Sequence, residues 1–365
     1  MTDFAALLDC FQVKGSLITA EPYGCGHINQ TFCAVLDENG TRRRYILQKI
    51  NHGIFHDIDG LMNNIQLVGD HIRSKHMNGD TERCSLTIVP TKDGCLYHKT
   101  ADGAYFRLYR FVEQTISLQA VTCVEEFETL GHAFGSFQNQ LADFDASQLV
   151  ETIPHFHNTV KRFEALEDAV RSDVAGRAAS VADEIAFARA RKADASRLLA
   201  LWQAGQLPLR VTHNDTKLNN VLFDEITREV VCVIDLDTVM PGLVHYDFGD
   251  SIRFGASTAA EDEKDLSKVT VDLELFEAYT RGFLSACGTA LTEAEIAQLA
   301  FSAKLLTYEC GIRFLTDYLN GDTYFKIHYP EQNLDRCHTQ FKLVSDMEAK
   351  MDIMETIVRH LIAQG

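Results

Sequence analysis

Two kinds of hydrophobic periodicity divide the chain. From about Leu17 to Arg110, apolar residues come in short runs: around Ile18, then over 30–36, 44–50, 86–89, 95–98 and 105–111. Short runs bounded by turn-forming residues predict strands. Asn39-Gly40, Asp93-Gly94 and Asp102-Gly103 lie between such runs, and pairs of this type supply the positive φ angles of two-residue hairpin turns. The expectation is an antiparallel sheet. One segment breaks the pattern, because Ile58, Leu61, Met62, Ile65, Val68 and Ile72 recur at helical spacing and predict a helix over 58–75.

After Gln114 the runs lengthen into amphipathic segments over 124–141, 159–169, 181–204, 273–286, 293–319 and 334–363. These predict a mainly helical second part. Inside it lies one β-type island, 209–234, in which two apolar runs flank the polar turn 224–229. The fold class expected is therefore α+β, a small sheet with one helix followed by a larger helical part that carries a β-hairpin. With no repeat or low-complexity linker in view, the boundary is expected at a short connection near 111–117, giving domains 1–113 and 114–365.

Composition narrows the function. A formal net charge of −18 repels nucleic acid phosphates, and no basic stripe interleaved with aromatics offsets it, so a nucleic acid partner is not expected. No run is long and apolar enough to span a membrane. The start, MTDFAALLDCFQVKG, has neither a basic leader nor a sustained apolar stretch, so a cytoplasmic protein is expected. The ten cysteines are scattered with no C-x-x-C pair, which reads as reduced core thiols.

The chemistry concentrates on the island. His213-Asn214-Asp215-Thr216-Lys217-Leu218-Asn219-Asn220 is a polar loop between two apolar runs, and fifteen residues beyond Asn220 the second run ends in Asp235-Leu236-Asp237. Phosphoryl transfer needs a group to accept or orient the proton of the attacking hydroxyl, and hard oxygen ligands to hold Mg²⁺ on the phosphates. Asp215 can be the base, Asn220 and Asp235 the metal ligands, and Lys217 a nearby cation. His213, Asp215, Lys217 and Asn220 fit the H-x-D-x-K-x-x-N catalytic loop of kinases. Turn residues bonding their own backbone would account for any one of these positions, but not for all of them with a correctly spaced Asp.

Other segments carry less. Asp247-Phe248-Gly249 copies the metal-binding tripeptide of protein kinases but has no apolar strand before it, so Asp247 is expected to cap a helix or buttress the loop. Gly24 and Gly26, between two strand-like runs, could let backbone approach a phosphate, and His27 is assigned to the acceptor. His155 and His157 have no further zinc-type ligands nearby. Glu21, Asp322 and the run 261–263 are expected to be solvated.

With these residues in place the chain resembles the aminoglycoside phosphotransferase and choline kinase superfamily, and within it most closely the N-acetylhexosamine 1-kinases. The likeness rests on Glu21-Pro22-Tyr23-Gly24 with the segment 26–29, on 211–220, and on 234–237 with Met240-Pro241-Gly242. It extends through 247–257, Glu309-Cys310-Gly311, Arg313-Phe314-Leu315 and Asp317-Tyr318-Leu319. The resemblance implies a bilobal protein-kinase-like fold, ATP and Mg²⁺, and phosphorylation of the anomeric hydroxyl of an N-acetylhexosamine such as GlcNAc or GalNAc. Asp215 would be the matched base, with Asn220 and Asp235 the matched metal ligands. Arg313, Tyr324 and Phe254 are the sugar candidates beside His27, although Arg313 could instead bridge to Glu309 one turn earlier. Gly24, Gly26, Gln48, Phe111 and Glu113 are the nucleotide candidates.

One position departs from the pattern. Kinases usually carry a strand lysine where this chain has Gln48, and Lys49 points to the opposite face of a strand. The manner of holding the phosphates is thereby left open. Alternatives to a sugar acceptor are choline, ethanolamine, homoserine or an aminoglycoside, all bearing amines, and a nucleotide-binding module without catalysis.

Overall fold

The computed structural model describes residues 3–24, 28–76, 81–118 and 121–364. In chain order these form α1 (Phe4–Leu8), β1 (Ser16–Pro22), β2 (Gln30–Glu38), β3 (Thr41–Ile50), α2 (Ile58–Lys75), β4 (His98–Lys99), β5 (Tyr105–Arg110) and β6 (Thr115–Ser117). Then come α3 (Val124–Gln140), α4 (Thr159–Ser172), α5 (Ala182–Ala190), α6 (Arg197–Gln203), β7 (Arg210–Thr212), β8 (Val221–Asp224), β9 (Val230–Val233) and β10 (Met240–Gly242). The last stretch is helical: α7 (Val244–Gly255), α8 (Leu273–Cys287), α9 (Glu293–Ile296), α10 (Leu299–Leu319) and α11 (Gln332–Gln364). This is the α+β architecture that the periodicity predicts. Packing groups the chain into two units, Met1–Ser117 with Ser147–Pro154 and Val221–Met240, and Leu118–Ala146 with His155–Asn220 and Pro241–Gly365.

The first unit holds an antiparallel sheet in the order β1-β2-β3-β5-β4. Its tightest turn is Asn39-Gly40, where φ angles of 57° and 86° let Glu38 pair directly with Thr41. The other two Asp-Gly pairs sit in longer loops, closed by the Thr91 N–H on Cys95 and the Thr100 N–H on Ala104. The expected strand over 86–89 is only a single bridge, Ile88 to Tyr109. Alternate residues Ala34, Leu36, Tyr45, Leu47, Phe106 and Leu108 bury one face of the sheet against Leu7, Leu8 and Phe11.

Helix α2 spans the predicted residues, capped by Asp57 accepting from the Gly60 N–H, and buries the predicted apolar face. On the same face Asn64 donates to the carbonyls of Val150 and Val239 at 2.8 and 2.9 Å, and accepts from the Val150 N–H at 3.0 Å. The second sheet of this unit runs β6-β8-β9, with Val221 opposite Val233, so the island is an antiparallel hairpin.

The second unit is helical around a core that includes Phe163, Leu198, Phe301, Leu305, Ile312, Leu315 and Phe341. The stretch expected to be one helix over 181–204 is broken into α5 and α6 by a short turn, because Lys192 to Ser196 includes Asp and Ser, which favour caps over helix interiors. A capping box of Thr292 and Glu295 starts α9. Helix α7 was not anticipated from the sequence, and it is buried along most of its length, including at the polar residues Asp247, Asp250 and Ser251. Gly249 lets it lie against α10, since a Cβ there would stand 2.6 Å from the Ser302 carbonyl oxygen. Among the described residues no helix is long and apolar enough to cross a membrane.

His245 on α7 is wholly buried, with Nε2 at 2.9 Å from the Glu295 carbonyl. Burial lowers its pKa to about 4, so the folded protein keeps the ring neutral where an unfolded chain protonates it near 6.5. The unfolded state then binds more protons between these values, and stability falls as pH drops from about 6.5 toward 4. The expected slope from this group is about 1.4 kcal/mol per pH unit. Urea unfolding at several pH values checks it, and His245→Gln should remove this contribution to the slope.

Candidate functional site

The loop from His213 to Asn220 follows β7 and is built on a buried carboxylate. Asp247 accepts from the backbone N–H of His213 at 2.9 Å, from that of Asn214 at 2.7 Å and from the Gln138 amide nitrogen Nε2 at 2.8 Å. Those bonds hold Asn214 at a φ of 65°, a left-handed conformation that Asn tolerates better than most residues. Burial raises the Asp247 pKa, opposed by His213 and by the bonds it accepts. Its own carbonyl takes the Thr216 hydroxyl at 2.9 Å, and one turn on, Ser251 donates to the Thr216 carbonyl at 3.1 Å. The His213 ring packs edge-on between Phe134 and Phe137, and its Nδ1 accepts the Asp215 N–H at 3.3 Å.

Asp215, Lys217 and Asn220 meet on this scaffold. Lys217 Nζ stands 2.6 Å from Asp215 Oδ1, and the Asn220 amide nitrogen donates to Asp215 Oδ2 at 3.1 Å and to its carbonyl at 2.8 Å. The Asp215 side chain keeps 27% exposure, so solvent reaches it. Burial works against the charge of Lys217, but Asp215 and then Asp250 outweigh it and raise its pKa. Asp250 is held by Arg253 at 2.8 Å. Although burial pushes Asp250 up, Arg253, His157 and Lys217 leave it below the usual carboxylate range. Both bonds of Asn220 use its nitrogen, which leaves the carboxamide oxygen as the atom to offer a cation.

In the unit that holds the sheet, Asp235 follows β9 in a left-handed conformation, φ 60° and ψ 55°, and opens the short turn Leu236–Thr238. Asp237 in that turn pairs with buried Arg107 at 2.6 Å. Oxygen donors such as Asn220 and Asp235 are of the hard type that Mg²⁺ prefers. Among the described residues no group of three or more His, Cys, Asp or Glu side chains is disposed to hold a metal. His157 is instead buried between Glu309 at 2.8 Å and the Asn214 carbonyl at 3.3 Å.

The remaining predicted residues are dispersed. Gly26 and His27 lie outside the described residues. Gly24 has a φ of 78°. Beside it the Tyr23 ring meets Phe111 edge-on at 5.7 Å, and the Arg44 guanidinium lies 3.8 Å over Phe111 while pairing with Glu113. Gln48 bonds Thr31 and Arg107. Phe254 is half exposed.

Arg313 and Tyr324 line a cavity of about 210 Å³ in the helical unit, with Arg162, Asp317, Thr323 and Phe325. Arg313 does not bridge to Glu309, whose carboxylate is taken by His157 and Thr159. It lies 5.8 Å from the Phe156 ring centre and 5.5 Å from that of Phe325. Arg162 donates to the Phe156 carbonyl at 3.2 and 2.7 Å, and burial together with the Arg313 charge lowers its pKa. Asp317 is committed to the N–H groups of Thr323, Tyr324 and Phe325 and to Asn333. Asp322, expected to be solvated, is buried against Arg177 at 2.6 Å, because the turn after α10 folds back on the α4 side of the core. A larger cavity of about 500 Å³ beside α4, lined by Glu164, Glu167, Asp168 and Arg171, contains none of the predicted residues.

Sequence reasoning missed Arg107, Asp237, Gln138, Arg162 and the His157–Glu309 pair. A cation within the apolar run Tyr105 to Tyr109 was the one available signal for Arg107.

Residues 19–282 match the phosphotransferase enzyme family. A microcompartment-associated aminopropanol kinase has a similar fold, with a TM-score of 0.63 and 18% identity, covering 96% of this chain and 98% of that one. An aminoglycoside phosphotransferase from Alicyclobacillus acidocaldarius gives 0.58 and 14%, covering 99% and 96%. A spectinomycin phosphotransferase solved with ADP and spectinomycin gives 0.51 and 14%, covering 94% and 97%.

Replacing Asp247 with Ala strands two backbone N–H groups and the Gln138 amide in the interior. Each unsatisfied buried donor costs about 1–3 kcal/mol. The expected outcome is a loss of several kcal/mol in chemical denaturation, with Asp247→Asn, which keeps one acceptor oxygen, less affected.

Proposed function

The chain belongs to the phosphotransferase enzyme family, and we propose that it is an N-acetylhexosamine 1-kinase, transferring the γ-phosphoryl group of ATP to the anomeric hydroxyl of GlcNAc or GalNAc. In this reading the acceptor oxygen forms the new bond to phosphorus, the bond from phosphorus to the β,γ-bridging oxygen breaks and ADP leaves. The hydroxyl proton passes to Asp215. Lys217 and the Asn220 amide keep that carboxylate oriented. Asn220 and Asp235, both hard oxygen donors, stay assigned to Mg²⁺. When bound, Mg²⁺ supplies charge neutralisation at the phosphates. Gly24, Gln48, Phe111 and Glu113 stay assigned to the nucleotide, and Phe254 and His27 to the sugar.

The observation that carries the choice of acceptor is the cavity at Arg162 and Arg313. Among the described residues neither guanidinium has a carboxylate within ion-pair distance, and the one carboxylate in the lining, Asp317, has its oxygens committed. A cavity of that character repels an ammonium group and favours an acceptor rich in hydroxyl and carbonyl oxygens. Tyr324, 65% exposed, adds a ring face and a hydroxyl suited to a sugar. Glu309, one turn before Arg313 on α10, holds His157 against the carbonyl of Asn214, the residue before Asp215.

Incubation of purified protein with ATP and Mg²⁺ and, separately, GlcNAc, GalNAc, choline, ethanolamine and 1-amino-2-propanol tests this. ADP release with the two sugars, and phosphate located on the anomeric oxygen by NMR, is the expected result; turnover confined to the amines overturns it. Asp215→Asn should lower kcat by about 10²- to 10⁴-fold with nucleotide affinity nearly unchanged, as measured by steady-state kinetics and calorimetry. Arg313→Met should raise KM for the sugar more than KM for ATP.

A further inference from the structure

Asp250 on α7 has only 9% of its side chain exposed, yet just one oxygen of its carboxylate is used. Arg253 Nε and Nη2 both donate to Oδ1, at 3.0 and 2.8 Å. Among the described residues Oδ2 accepts no hydrogen bond, and it is not one of the fully enclosed unpaired atoms, which puts it on the open part of the side chain. An arginine that pairs with a carboxylate for stability commonly meets it fork to fork, one nitrogen on each oxygen. Here the fork converges on one atom, and Arg253 directs its remaining nitrogen to Glu261 at 3.2 Å. A carboxylate oxygen withdrawn this far from bulk water calls for a donor that the protein does not supply.

The neighbours of Asp250 on α7 are turned to the loop of the base. One turn earlier the Tyr246 ring lies 5.3 Å from that of His157, which bonds the Asn214 carbonyl, and the next residue, Ser251, donates to the Thr216 carbonyl at 3.1 Å. Lys217 follows Thr216 and stands 2.6 Å from Asp215; against burial, Asp215 and then Asp250 hold its charge. On the other side, burial pushes the Cys310 thiol up to about 11 while Arg253 and Arg313 both pull it down, so the two arginines approach the same turn of α10. Asp250 thus neighbours both the loop of the base and the turn that leads to Arg313. Its surroundings already hold the cations Lys217, Arg253 and Arg313, and a neutral O–H answers the second oxygen without adding to them.

We propose that Asp250 is an acceptor-binding residue whose Oδ2 takes a hydrogen bond from a hydroxyl of the sugar other than the one phosphorylated. This rests on the reading of the chain as a sugar kinase. Two carboxylates then divide the work: Asp215 takes the proton of the attacking oxygen, and Asp250 fixes the ring through a second hydroxyl, which decides the oxygen that reaches Asp215. Choline and ethanolamine, with a single hydroxyl each, cannot satisfy both.

The test compares kcat/KM for GlcNAc and for a panel of its analogues, each lacking one hydroxyl other than the anomeric one, in the wild-type protein and in Asp250→Asn. One analogue should lose about 10- to 100-fold in the wild-type protein, the cost of a hydrogen bond to a charged group, and Asp250→Asn should lose a similar factor on GlcNAc itself. On that analogue the substitution should have almost no further effect, while on the others its effect should be undiminished. Glu261→Gln, which loosens Arg253 from its far side without touching Asp250, should leave the whole panel unchanged. If Asp250→Asn does not fold, Asp250→Glu, which keeps a charge for Arg253 and displaces the second oxygen, is read in the same way. Sugar turnover by the wild-type protein with the same loss on every analogue in the Asp250 variant, or with that loss reproduced by Glu261→Gln, overturns the proposal alone. Absence of turnover with GlcNAc and GalNAc in the wild-type protein overturns it together with the functional reading.

Discussion

A carboxylate cut off from water must draw its hydrogen bonds from the protein, and Asp247 draws them from the backbone of the loop that carries Asp215. The loop has no regular pattern of its own to hold it, and its left-handed residue at Asn214 is sustained only because its N–H is claimed at 2.7 Å. Helix α7 thereby works as a template. Asp247 and Ser251, four residues apart on one face, hold the two sides of Thr216, and Tyr279 locks Ser251 from behind at 2.7 Å. His157 grips the Asn214 carbonyl from another side and passes the loop's position to Glu309 on α10. The loop from His213 to Asn220 is thus defined by three helices rather than by its own sequence.

A chain with a net charge of −18 has to supply positive charge locally wherever it handles anions. Two of its arginines are withdrawn from solvent and answered by the protein's own carboxylates. Arg107 is buried on the sheet, and Arg253 is nearly buried beside Asp250. Both have raised pKa values despite burial, since Asp237 and Tyr109 beside Arg107, and Cys310, Asp250 and Glu261 beside Arg253, outweigh the desolvation. Arg162 and Arg313 follow a different rule: among the described residues no carboxylate is paired with them, and the two guanidiniums face one cavity, where burial and the Arg313 charge lower the Arg162 pKa.

Much of this was legible in the sequence. Helix α2 could be read to the residue because its apolar spacing and its Asp57 cap agree, and the β8–β9 hairpin because two apolar runs flank one polar turn. Asp215, Lys217 and Asn220 lie within eight residues of one another, so local spacing was enough to join them. What could not be read is what depends on contacts distant in sequence. The Asn29 to Asp237 bond spans 208 residues and the Gln138 to Asp247 bond spans 109, and no periodicity encodes either. Helix α7 was missed because the polar residues Asp247, Asp250 and Ser251 that a sequence reading places in solvent are buried against distant segments. Asp322 was misjudged because an exposed-looking turn residue found an arginine from a distant segment.

The bonding around Asp215 limits the direction from which a partner can come. An ionised carboxylate has about four lone-pair positions, two on each oxygen. Lys217 takes one on Oδ1 and the Asn220 amide takes one on Oδ2, so a single position remains on either atom. A hydroxyl arriving there is steered in azimuth as well as in distance, and a molecule offering several hydroxyls in different orientations is sorted by that geometry.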